Sequence, residues 1–125
     1  MLNRFQKFGN ESETLAAAFL ENQGYTIIEK NYRNAIGEID LIAKDGETLV
    51  FAEVKARSSA RYGNPKEALT YSKQKKISKT AIVYLKMTKQ TRIKARFDVV
   101  AIHPAENGEE PRIELIKNAF NLVGF

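Results

Sequence analysis

The chain predicts an α/β fold of order αβββαββ, a mixed sheet flanked by two helices. Three observations carry that expectation. Two stretches, residues 12–23 and 66–86, place apolar residues at helical spacing; five runs are rich in β-formers; and Asp45-Gly46 between two of those runs is a hairpin signal. In order, the first helix is expected from Ser12 as N-cap to Gln23, with Leu15, Ala18, Phe19 and Asn22 in register and Gly24 just past its end. Tyr25–Arg33 reads as a strand, followed by Glu38–Lys44 and Thr48–Lys55 as the hairpin. Gly63-Asn64-Pro65 interrupts the pattern, and Leu69, Ile77, Ala81, Tyr84 and Leu85 then follow a long helix from Lys66 to about Lys86. Arg96–His103 and Arg112–Lys117 read as the last two strands, separated by a polar loop.

At 125 residues the chain suits a single domain spanning 1–125, with residues 1–10 expected to be flexible. There is no Cys, which excludes disulfides, thiol nucleophiles and thiolate metal sites. No apolar run is long enough to span a membrane and no secretory signal is visible, so a cytoplasmic protein without a membrane partner is expected. Charge is unevenly distributed. From Lys55 to Arg96 there are 13 basic residues and one acid, Glu67, for a net +12; the remaining 7 basic and 14 acidic residues net −7. Such segregation points to a polyanionic partner, nucleic acid ahead of anionic lipid, although a solvated basic helix face would look the same.

Strand alternation separates the hairpin into two faces. Ile39, Leu41 and Ala43 are expected on one side with Glu38, Asp40 and Ile42 on the other, while Val50, Ala52 and Val54 oppose Leu49, Phe51, Glu53 and Lys55. Three acids and one lysine thus gather at one end. Removing those carboxylates from water costs several kcal/mol unless cations neutralise them. Lys55 alone cannot balance three acids. A hard divalent cation, Mg²⁺ or Mn²⁺, takes oxygen ligands of this kind and activates water for phosphodiester hydrolysis. The alternative is four solvent-facing residues on an ordinary edge hairpin.

Glu38-Ile39-Asp40-Leu41-Ile42 followed by Phe51-Ala52-Glu53-Val54-Lys55-Ala56-Arg57 resembles the D…ExK core of the PD-(D/E)XK nuclease superfamily, the restriction-endonuclease-like and Holliday-junction-resolvase-like proteins. More closely, the chain resembles the YraN family of bacterial endonuclease-like proteins. The likeness runs from Gly9, Glu13, Ala16, Leu20 and Gly24-Tyr25 through Asn31-Tyr32-Arg33 and Gly37-Glu38-Ile39-Asp40. It continues through Gly63, Lys73 and Ile77 to Arg96-Phe97-Asp98-Val99-Val100 and Asn118-Ala119-Phe120. The resemblance implies Glu13, Asp40, Glu53 and Lys55 as catalytic residues, with Glu13, Asp40, Glu53 and the Val54 backbone carbonyl as metal ligands. It implies phosphate contacts from Lys73 or Gln74. Arg57, Lys75, Lys76 and Lys79 complete the expected nucleic-acid surface, with DNA, branched forms included, favoured over RNA. This chain departs from the commonest family pattern at Ser12, Ala52 and the Ile39 that precedes Asp40; none is an expected ligand.

The function expected is a metal-dependent nuclease, the alternative being a catalytically silent nucleic-acid-binding module of the same fold. An adaptor for an acidic protein surface is a third reading of the lysines. Glu38 could be an outer carboxylate, a partner for Arg57 or, less favoured, a metal ligand; Asp98 is expected to be structurally paired; His103 is expected to be a surface imidazole in preference to a general base. Tyr62 could stack on bases, whereas Tyr84 belongs with the core. A homodimer through Phe120, Leu122, Val123 and Phe125 is conceivable, but packing of this tail on the core is favoured.

Overall fold

A computed structural model of the protein describes residues 4–56, 69–103 and 110–123, with side chains from residue 11 onward. The elements are α1 (Arg4–Asn22), β1 (Thr26–Arg33), β2 (Glu38–Asp45), β3 (Thr48–Ala56), α2 (Tyr71–Met87), β4 (Ala95–His103) and β5 (Arg112–Phe120), in the αβββαββ order expected. The sheet runs β1-β2-β3-β4-β5, antiparallel except for the parallel pair β3·β4 that α2 bridges. The hairpin turn is as the sequence indicates: Asp45 pairs with Thr48, and Gly46 takes φ 60° at the first central position, as a type II′ turn requires. Gly24 ends α1 at φ 94°, the left-handed conformation that closes helices.

The sheet is covered on both faces. On one, Ala16, Ala17 and Leu20 of α1 pack on Leu41, Ala43, Val50, Ala52, Val100 and Ile102. On the other, Ile77, Ala81 and Tyr84 of α2 cover Ile42, Leu49, Phe51, Phe97 and Val99. The three central strands are therefore nearly continuous in apolar residues, because both their faces are buried. Tyr84 makes edge-to-face contacts with Tyr32 and Phe51, in keeping with a core role.

Several boundaries and faces differ from expectation, each for a local reason. Ser12 does not cap α1: the helix begins at Arg4, and Ser12 is buried eight residues inside it. Gly9-Asn10, both poor helix formers, obscure the continuity in the sequence. The inward face of α1 is Ser12, Ala16, Ala17 and Leu20, while Leu15, Ala18 and Asn22 are exposed; small alanines, rather than the larger apolar side chains, let the helix lie close to the sheet. Helix α2 starts at Tyr71, not Lys66, because Thr70 supplies the cap by accepting the Lys73 N–H at 3.1 Å. Leu69, just before that cap, is buried all the same. Strand β5 continues past Lys117 to Phe120, which stacks on Phe97 with ring centres 4.7 Å apart. Ile39 joins the α2 face with Ile42 instead of the α1 face with Leu41. The change falls where β2 has left β3, whose last pairing with it is Leu41 with Ala52, while its pairing with β1 continues through Tyr32 with Ile39 and Arg33 with Glu38.

His103 is buried rather than exposed, its Nε2 3.6 Å from Glu114 Oε2 and neither ring nitrogen hydrogen-bonded among the described residues. It ends β4 opposite Arg112 of β5, with Glu114 near its ring. Asp98 is completely buried and paired, as expected. Arg96 Nε donates to its Oδ1 at 3.0 Å, Tyr25 Oη donates to its Oδ2 at 3.0 Å, and the Asn118 N–H donates to Oδ1 at 2.9 Å. Arg96 also reaches Asp45 Oδ2 at 2.7 Å, tying the β2–β3 turn to β4. Burial pushes the Tyr25 hydroxyl up to about 12, with the Asp98 charge adding to the shift. Of the proposed interface residues, Phe120 is partly buried on the core, Leu122 is exposed and the Val123 N–H donates to Ser78 Oγ; Phe125 lies outside the described residues.

Candidate active site

The site lies where β2 and β3 part. Backbone pairing ends at Leu41 and Ala52, so Asp40 and Glu53 are the first residues beyond the ladder. Asp40 Oδ2 accepts the N–H of Val54 at 2.8 Å, supplying a side-chain partner where the opposite strand no longer gives a backbone one. Glu53, one residue earlier, faces α2, and Lys55 follows it on the same strand face. The alternation read from the sequence holds here.

The charges interact strongly. Glu53 is pushed up to about 8, first by burial and then by the neighbouring Asp40 carboxylate, with Lys55 and Lys73 opposing the shift. Asp40 is also raised by burial, against which the Val54 N–H and Glu53 act to lower it. Glu13 of α1 is raised by burial and by Asp40, and a side-chain hydrogen bond with Asn31 offsets part of this. Lys55 is lowered to about 8 by burial and by Lys73, its cationic neighbour from α2. Four elements, α1, β2, β3 and α2, thus deliver charged groups to one place.

Among the described residues, no three His, Asp or Glu side chains converge tightly enough to form a ready metal cage. The pair Asp40 and Glu53 forms the centre, with Glu13 in electrostatic reach. The donor chemistry fits a hard cation: the oxygens belong to carboxylates, and the repulsion that raises Glu53 is what a divalent ion would relieve. Val54 is held against Asp40 through its amide. Glu38 pairs with Arg33 at 3.0 Å, both well exposed. Arg57, the other partner considered for it, and Tyr62 lie outside the described residues.

The phosphate-binding candidates divide. Lys73 stands beside Lys55 and Glu53 at the site. Gln74 donates its side-chain amide to the Leu69 carbonyl at 2.9 Å, which fixes the entry to α2. Lys75, Lys76 and Lys79 face a groove of about 350 Å³ along α2. A second cleft of about 440 Å³ joins Glu53 and Lys73 to the β1–β2 connection.

Two features escaped sequence reasoning. Asn31 adopts φ 53°, a left-handed conformation that Asn tolerates, and serves Glu13 from β1. Asn34 builds the β1–β2 turn, accepting the N–H groups of Ile36 and Gly37 at 2.9 and 3.3 Å. Asn at the first and Gly at the last position of Asn34-Ala35-Ile36-Gly37 is a turn signature that could have revealed the second.

The fold and site define a class: an α/β domain with a five-stranded mixed sheet that sets an acid pair and a lysine at the fork of two antiparallel strands. Residues 12–102 match the model of the family described as "Uncharacterised protein family UPF0102", the YraN family. The chain is 49% identical over 121 residues to a UPF0102 protein of Desulfosudis oleivorans, covering 97% of this chain and 95% of the relative. It is 49% identical over 120 residues to one of Desulforapulum autotrophicum, covering 96% and 98%. Over 115 residues it is 44% identical to one of Clostridium botulinum, covering 91% and 94%. The protein belongs to the UPF0102 family.

Proposed function

We propose that the protein is a metal-dependent phosphodiesterase acting on nucleic acid, DNA in the first instance. The observation that carries this reading is the half-buried Asp40–Glu53 pair with Lys55 at the strand fork, opening onto a lysine-rich helix. Asp40, Glu53 and the Val54 carbonyl, with Glu13 behind them, would hold Mg²⁺ or Mn²⁺. Such an ion supplies an acidified water and neutralises charge building on the phosphate. Lys73 and Lys76 would hold the phosphodiester, two cations that line the same cleft as Glu53. Lys55 Nζ, lowered to about 8, is suited to take the proton of the attacking water near neutral pH. As the water oxygen bonds to phosphorus, the bond to the leaving sugar oxygen breaks, and that oxygen takes a proton from solvent water.

Titration of Mn²⁺ into ¹⁵N-labelled protein tests the site without knowledge of the substrate. Amides around Glu13, Asp40 and Glu53 should broaden selectively, and D40A should lose that broadening. In a cleavage assay D40A should be inactive while binding nucleic acid as well as or better than wild type, since it removes negative charge from the phosphate's path. Equal cleavage by D40A refutes the assignment. Wild-type binding should weaken with salt at a log–log slope of about −0.9 per phosphate contacted on duplex DNA.

A second reading, a binding module that does not cut, is favoured by the lack of a third convergent ligand among the described residues. It shares the salt dependence and differs in showing no localised Mn²⁺ broadening.

A further inference from the structure

The β1–β2 turn is built more firmly than a surface loop needs to be. Asn34 Nδ2 donates to Tyr32 Oη at 3.0 Å and to the Thr80 carbonyl of α2 at 3.2 Å, while its Oδ1 holds the Ile36 and Gly37 amides. The Asn34 N–H closes the turn onto the Gly37 carbonyl at 3.0 Å. Gly37 is pressed so closely on α2 that a Cβ there would lie 2.9 Å from Thr80 Oγ1. This clamped turn carries at its tip Ile36, a large aliphatic side chain left 41% exposed.

Ile36 stands between cations. With Ala35 and Lys76 it forms the common wall of two grooves, one leading to Glu53 and Lys73, the other lined by Lys75 and Lys79. An exposed apolar tip on a rigid support, flanked on both sides by lysines, matches a ligand that is polyanionic along its length and apolar on its faces. A nucleic acid offers both only where bases are unstacked, because in an intact duplex the apolar faces are covered by their neighbours.

We propose that the Ala35–Ile36 tip is a wedge for an unpaired or opened base. The α2 lysines hold the backbone on one side of it, Ile36 packs on the base face, and the adjoining phosphate enters the cleft that ends at Glu53. This rests on the nucleic-acid reading of the site and narrows its substrate class to strands with bulges, gaps or branches.

The test is binding in EDTA, followed by 2-aminopurine fluorescence, to a duplex carrying the reporter in a bulge and to the same sequence fully paired, with wild type, I36A and I36L. Wild type should bind the bulged duplex about tenfold more tightly and change the reporter's emission. I36A should lose about tenfold on the bulge, since only the exposed part of the three carbons withdrawn is newly buried on binding, while its affinity for the paired duplex is unchanged. I36L should retain the preference. Ile36 is exposed, so circular dichroism of I36A should match wild type. Equal wild-type affinity for the two duplexes, or a preference that survives in I36A, overturns the wedge and leaves the nucleic-acid reading standing. Absence of wild-type binding to either duplex overturns both.

Discussion

Glu53→Gln isolates the electrostatic strain of the acid pair. Glu53 titrates near 8 in the folded protein against 4.5 unperturbed, so the native state holds its proton more tightly than the unfolded chain does. The stability this group contributes is complete below pH 4.5 and is lost as pH rises to about 8. At 1.36 kcal/mol per unit the shift has an upper bound of roughly 5 kcal/mol, and screening at a partly accessible carboxylate brings the working figure to about 2–4 kcal/mol. Glutamine copies the protonated acid and has nothing to lose. Urea unfolding with chelator present should therefore find E53Q and wild type similar near pH 4.5, and E53Q more stable by this margin at pH 8. Lys55, lowered from 10.5 to about 8, contributes with the opposite slope, so the metal-free wild type should be least stable near pH 8 and recover towards pH 10.5. Parallel wild-type and E53Q curves across pH 4.5–8 would show that Glu53 is solvated and ionised in the native state, and the argument for a strained pair would fail.

Two stability measurements test the scaffold. Gly37→Ala forces a Cβ to within 2.9 Å of Thr80 Oγ1 and should cost about 1–3 kcal/mol in urea, because the contact on α2 has no slack; an unchanged midpoint would mean that the turn is not clamped. Arg96→Ala leaves the fully buried Asp98 carboxylate without its guanidinium and should cost about 3–5 kcal/mol. A loss under 1 kcal/mol would show that Tyr25 and the Asn118 amide suffice.

The sequence made the sheet legible because its central strands are buried on both faces and its turns use residues with few alternatives. Gly46 and Gly24 announced their backbone conformations, and the Glu53–Lys55 spacing placed both side chains on one strand face. Contacts between segments distant in the chain were less visible. Nothing local says that Arg96 reaches Asp45, that Lys73 stands beside Lys55, or that His103 is buried. Helical spacing allows more than one frame for α1: the buried face follows Ser12, Ala16, Ala17 and Leu20 and not the frame through Leu15, Ala18, Phe19 and Asn22, because close approach to Ala43 and Ala52 selects alanine. Strict alternation puts Ile39 with Leu41, yet it packs with Ile42, beyond the point where β2 and β3 part.

The bond from Val54 to Asp40 makes one acid part of the sheet's own mechanical frame. The gap between the acids is therefore gauged by two diverging backbones more than by the rotamers of long side chains. A site gauged in this way should lose its geometry only when the central strands separate, so thermal inactivation should coincide with global unfolding rather than precede it. It also means that alanine at position 40 does two things at once, deleting a charge and stranding an amide. Asparagine, which can still accept from Val54, is the substitution that separates the chemistry of this residue from its carpentry.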